Sequence, residues 1–195
     1  MHAIGDKSIK NAIDIFEQIG SAGKRHRMEH LELTTAEDAK RLGALGITAS
    51  VQPVHSDPAL LRAWPSLIGP ERFKRAFPYA DLHDSGAPLV FGTDSPTARH
   101  LALPNLYNAT TRKSALEPDS PDTTNPQFAI KPLGTAVLAA TASAAYSRFA
   151  DSWTGKLQVG FQADFVVLDM VWDKEKLLEA KVLQTWYRGR KVYGS

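Results

Sequence analysis

Cysteine is absent from the 195-residue sequence. That excludes disulfides, thiolate nucleophiles and cysteine-ligated metals, and leaves histidine, aspartate and glutamate for any metal site. Neither sign of charge dominates: 23 Lys and Arg face 21 Asp and Glu, a formal +2. The densest basic cluster, Lys24-Arg25-His26-Arg27, is short and has no interleaved aromatics, so nucleic acid is not an expected partner. No run approaches the ~20 apolar residues of a membrane span, and no membrane association is expected. Residues Met1 to Asp6 carry neither the basic nor the apolar part of a signal peptide, so a cytoplasmic chain is expected. Glycine-rich phosphate loops and a serine-hydrolase elbow are also missing. What is present, at 43% hydrophobic residues, suits a globular chain with one sizeable domain and room for a small second one.

Periodicity organises the first part of the chain. Ile9, Ala12, Ile13, Phe16 and Ile19 recur at helical spacing over residues 7–19, and Gly20 is a natural stop. Residues 25–31 alternate, with His26, Met28 and His30 on one side and Arg25, Arg27 and Glu29 on the other. Thr34 with Glu37 reads as a capping box for a helix through Leu45, closed by Gly46. Strands follow at Ile47 to Val51 and Leu89 to Phe91, around a proline-broken stretch from 53 to 77 with short helices and a helix at 79–85. Further helices are predicted at about 104–113 and 131–149, separated by a flexible loop from Leu116 to Pro126. The tail turns to β: a strand in Gly160 to Met170, a short helix near 174–180, and a hairpin around Arg188-Gly189-Arg190. Strands alternating with helices predict a parallel sheet, whose active sites form at the C-terminal strand ends.

Polar clusters sit at those ends: His2, then His26/Glu29/His30, then His55 after Gln52-Pro53, then Asp94 within Gly92-Thr93-Asp94-Ser95-Pro96. Alone, each has an ordinary reading as a hydrogen-bonded histidine or a turn. Recurring after successive strands, they form the imidazole and carboxylate set that zinc accepts where thiolates are lacking. His26-Arg27-Met28-Glu29-His30 also matches the H-x-x-E-H zinc-peptidase pattern. That chemistry needs a helix; on a strand the two histidines lie about 13 Å apart at ~3.3 Å per residue, so only His30 should reach the site. His83 and His100 read as structural or solvated, with His100 near enough to the mouth to touch a ligand. Trp64, Phe73, Phe77 and Tyr79 read as packing beneath the long loop.

Together these segments resemble the amidohydrolase family 3 (YtcJ-like) metal-dependent hydrolases. The resemblance rests on His2-Ala3-Ile4-Gly5-Asp6, Arg25 to His30, Ser50 to His55, Phe91 to Pro96, and the closing stretches Gly160 to Asp169 and Val182 to Tyr193. It implies an α/β fold, the C-terminal half of a (β/α)₈ TIM-type barrel, with strands of a small β-sandwich. Residues 1–150 would form the partial barrel, from about strand five to helix eight, and residues 151–195 the sandwich segment. His2, His30 and Asp94 would hold Zn²⁺ or another divalent metal. Asp94 would serve as general base, and His55 and Arg27 would contact substrate. The implied reaction is hydrolysis of a C–N bond, in an amide or N-substituted formamide, by a metal-activated water.

One departure shapes the expectation. The family carries a His-x-His on its first strand, and none occurs here. The chain therefore reads as a C-terminal portion, incomplete as a hydrolase. Its metal would be lost if the first-strand ligands are indispensable. The alternative is a catalytically inactive remnant acting as a binding or structural module. Exposed sheet edges would call for association with a missing half or with a second copy.

Overall fold

The computed structural model describes residues 1–194. Four strands, β1 (His2–Ala3), β2 (Arg27–His30), β3 (Thr48–Val51) and β4 (Leu89–Phe91), form a parallel sheet in sequential order. Helix α1 (Asp6–Ile19) joins β1 to β2, and α2 (Ala36–Ala44) joins β2 to β3. Between β3 and β4 run a 3-10 turn (Pro53–Ser56) and four short helices: α3 (Pro58–Leu61), α4 (Trp64–Ile68), α5 (Pro70–Phe73) and α6 (Tyr79–Asp84). After β4 come α7 (Ala102–Thr111), α8 (Leu133–Ala140) and α9 (Ala142–Ser147). The tail is an antiparallel sheet of β5 (Phe165–Asp169), β6 (Lys181–Tyr187) and β7 (Arg190–Tyr193).

The core lies between the parallel sheet and its helices. Helix α1 buries Ile9, Ala12, Ile13 and Phe16, the residues that its periodicity selects. They pack with Met28, Ala49, Val51 and Leu89 from the strands. All four residues of β3 are buried, as a central parallel strand covered on both faces requires. Arg41 ties α2 to α1 by bonding Asp14 Oδ1 at 2.6 Å and Glu17 Oε2 at 2.8 Å.

Several local expectations change. The cap of α2 is Thr35, one residue later than the capping box placed it: Asp38 N donates to its hydroxyl at 3.1 Å, and that hydroxyl donates to Asp38 Oδ2. Thr34 instead turns inward and bonds the Leu31 carbonyl. The single helix expected over 131–149 breaks at Thr141 (φ −125°, ψ −90°). The short helix near 174–180 is one 3-10 turn, Lys174–Lys176. Residues 116–126, read as a flexible loop, are anchored, because Thr124 N donates to Arg112 O and Arg112 Nε donates to Thr124 O. The aromatic residues Phe77 and Tyr79 are core, as expected of packing beneath the long loop.

The hairpin of β6 and β7 turns at Arg188-Gly189, both with positive φ (+49° and +73°), the combination that a tight two-residue connection needs. Phe165 and Trp186 stack across β5 and β6 at 5.4 Å. Apart from half-buried Leu168, the other apolar residues of this sheet are open to solvent, with Val192 and Tyr193 each 60% exposed. Among the described residues, no helix is long and apolar enough to cross a membrane.

Helix packing yields a direct test. A Cβ on Gly43 of α2 would collide with the Ser85 carbonyl just beyond α6. Gly43→Ala should therefore cost about 1–3 kcal/mol and lower Tm by several degrees, despite alanine's better helix propensity. A thermal melt with Tm unchanged or raised would show that the two helices are not in this contact.

Candidate metal centre

Parallel pairing places Ala3 opposite His30, Glu29 opposite Ser50 and Val51 opposite Phe91. The strand ends, and the residues that follow them, thus lie side by side. At the end of β2 the backbone enters left-handed conformations at His30 (φ +74°) and Leu31 (φ +56°), which are uncommon for non-glycine residues and cluster at functional sites. The turn is held by Leu31 N on Ala3 O at 3.0 Å and Leu33 N on Ile4 O at 3.1 Å. It also separates two histidines that simple alternation puts on one side. His26 stacks on Phe16 of α1 at 4.6 Å, whereas His30 faces the rings of His2 and His55.

Those rings form a continuous row. His2 Nδ1 lies 2.9 Å from His30 Nε2. The His30 and His55 rings stack nearly parallel, with centroids 5.9 Å apart. His55 Nε2 is 3.9 Å from Asp94 Oδ2, and His55 Nδ1 is 3.4 Å from Glu32 Oε1. Of the residues singled out from sequence, His2 therefore meets His30 directly, and Asp94 meets His55. The described group whose ligand atoms all lie within 4.8 Å of one another is His30, Glu32 and His55. His55, expected to contact substrate, is thus also placed to ligate. Glu32, 7% exposed, is a candidate ligand that the sequence reading did not single out. Arg27 pairs with Glu29 at 2.6 Å on the wall of an open cavity of about 380 Å³, which His2, Gln52 and Asp94 also line. His100 is exposed in the loop beyond Asp94, beside a neighbouring cavity.

The donor set fits a divalent ion. His30 is 8% exposed and turns its Nε2 toward His2; its Nδ1, which diverges from that nitrogen and would not face the same ion, is buried with no hydrogen-bond partner. His2 Nδ1 and His30 Nε2 already approach to 2.9 Å, so a modest separation and turn of the two rings would let both nitrogens face one ion. Asp94, itself in a left-handed turn (φ +59°), keeps a third of its side chain in solvent at the cavity edge, where it can exchange a proton.

A row of imidazoles and carboxylates along the ends of parallel strands is an arrangement suited to metal-assisted chemistry. The chain belongs to the amidohydrolase family, which it matches over residues 1–193. It is 34% identical over 203 residues to the Arabidopsis thaliana protein LONG AFTER FAR-RED 3, covering 99% of this chain and 33% of that protein. It is 27% identical to the putative amidohydrolase YtcJ of Bacillus subtilis, covering 99% and 37%. Among solved structures, an uncharacterized metal-dependent hydrolase from Pyrococcus horikoshii is 30% identical, with a TM-score of 0.67 over 83% of this chain and 32% of that one. An amidohydrolase from Thermotoga maritima, 18% identical, shares the fold over the whole chain at a TM-score of 0.67. The chain spans about a third of the length of the curated relatives it matches.

Glu32 is the residue to test here. If it ligates the ion or orients His55, Glu32→Ala should weaken zinc affinity by about 10–100-fold in a chelator-competition titration. Unchanged affinity would make Glu32 a structural acid alone.

Proposed function

We propose that this chain provides the last four β/α units of a (β/α)₈ metal-dependent hydrolase acting on C–N bonds of small amides or N-substituted formamides. Residues 1–150 are the barrel portion in this reading, and residues 151–195 the sandwich portion. The observation that carries it is the row His2, His30, His55, Asp94, one residue at or just after each of four consecutive parallel strands. Family membership supports the same reading.

His2, His30 and Asp94 would hold Zn²⁺ or another divalent ion, with Glu32 and His55 beside them. Such an ion supplies Lewis-acid polarisation of the amide carbonyl and eases deprotonation of the attacking water. Asp94 accepts the proton of that water as the new C–O bond forms, then returns it to the leaving nitrogen as the C–N bond breaks. His55, with Nδ1 turned to Glu32 and Nε2 3.9 Å from Asp94 Oδ2, would offer its Nε2–H to the substrate oxygen beside that carboxylate. Arg27, on the cavity wall, fixes the polar end of the substrate.

A second reading has its own support. The cavity beside Asp94 is open, and the apolar residues of β5–β7 face solvent, so the chain alone is a catalytically silent module awaiting cover. A polypeptide carrying the remaining barrel strands, or a second copy, would dock along the free edges of β1 and β4.

Asp94→Asn separates the readings. For the hydrolase, amine release from a panel of N-substituted formamides and amides should fall by about 10²–10⁴-fold while the melting curve hardly moves. Equal turnover by wild type and variant would remove Asp94 from the chemistry. No turnover by either, in a folded sample, would favour the silent module.

A further inference from the structure

His55 and Asp94 stand on different strand ends, and what fixes their separation is a side chain on neither. The last rung of the β3–β4 ladder is Gly92 N donating to Val51 O at 3.0 Å. Beyond it the two chains part, one into the 3-10 turn bearing His55, the other into the left-handed turn at Asp94. Asn105, on α7 and 4% exposed, fills the gap. Its Oδ1 accepts from Val54 N at 2.8 Å, and its Nδ2 donates to Gly92 O at 2.9 Å. Val54 is the residue before His55, and Gly92 lies two residues before Asp94.

A planar primary amide presents one acceptor edge and one donor edge, so it can replace a missing backbone rung between two diverging strands. Buried bonds of this kind impose a definite geometry, because leaving either backbone group unpaired is expensive. The opposite side of the His55 turn is held separately: Gln52 O accepts from both His55 N at 2.9 Å and the Tyr79 hydroxyl at 3.3 Å. With Gln52 fixed from below and Val54 from the side, His55 has one place to sit relative to Asp94.

We propose that Asn105 is a positioning residue that sets the His55–Asp94 separation by clamping their two turns together. Its benefit to catalysis rests on the hydrolase reading; the clamp itself does not. Two substitutions dissect it. Asn105→Asp keeps the acceptor for Val54 N but sets a carboxylate oxygen against Gly92 O. Asn105→Leu keeps the branched shape, at a larger volume, and removes both bonds. Leu106→Ala, on the same helix and in the core, is the control for simple loss of packing.

The 195-residue chain carrying each change would be crystallised, and the His55 imidazole followed by ¹H–¹⁵N spectroscopy. The clamp predicts that both Asn105 variants move His55 relative to Asp94 by about 1 Å or more and shift or broaden the His55 ring signals. Leu106→Ala, though lower in Tm, should leave separation and signals as in wild type. Where wild type turns over an amide, the Asn105 variants should lose about 100-fold in kcat with KM nearly constant. If Asn105→Leu fails to fold, Asn105→Asp, which retains one bond, decides. An unchanged separation with unchanged His55 signals, or an equal disturbance in Leu106→Ala, would overturn the proposal. A moved His55 in a chain that hydrolyses nothing would sustain the clamp and count against the hydrolase reading.

Discussion

Because β1 pairs with β2 so that Ala3 faces His30, and β3 with β4 so that Val51 faces Phe91, four strands end at nearly one level. The rest of the site depends on that register. Side chains alternate along a strand with a period of two, so a slip of one residue would exchange the faces presented to the cavity and to the helices. In the register adopted, Met28 packs into the core while Arg27 and Glu29 line the cavity. The left-handed residues His30, Leu31 and Asp94 then lift the chemistry out of the strict alternation and aim it along the sheet's end.

Holding that edge takes an unusual amount of buried polarity. Asp57, fully buried just after the His55 turn, accepts from Ser114 Oγ at 2.6 Å, Asn108 Nδ2 at 3.0 Å and the amides of Ala115 and Leu116. Tyr79 is so enclosed that burial pushes its hydroxyl up to about 12. Arg112 stacks 4.7 Å over the Tyr79 ring, and burial holds its guanidinium below the ordinary arginine value. Arg112 Nη1 and Nη2 and Asn108 Oδ1 are buried without a hydrogen-bond partner, but the bonds gathered on Asp57 specify one arrangement more than they add stability. The opposite is true of β5–β7, where apolar side chains remain uncovered.

Much of this was legible in the residues. Helix α1, strands β2 to β4 and the terminal hairpin follow from periodicity and turn chemistry, each a local signal. His2, His30, His55 and Asp94 could be named because a polar residue at a strand end stands out against the apolar run before it. Glu32 could not: Leu31-Glu32-Leu33 looks like any half-exposed segment, and its role appears only when His55 folds over it. The same limit hid Asn105, whose partners lie 51 and 13 positions away in sequence. The segment 116–126 has loop composition and is a loop, but the bonds that anchor it to Arg112 are tertiary.

The central claim is that the residues on these four strand ends make a metal centre. Zinc content of the purified 195-residue chain, measured by elemental analysis after exhaustive dialysis beside its His30→Ala variant, tests it most directly. The account predicts zinc near one equivalent per chain in the wild type and its loss in the variant. A folded wild-type chain that retains no metal, or a variant that retains as much, would contradict it.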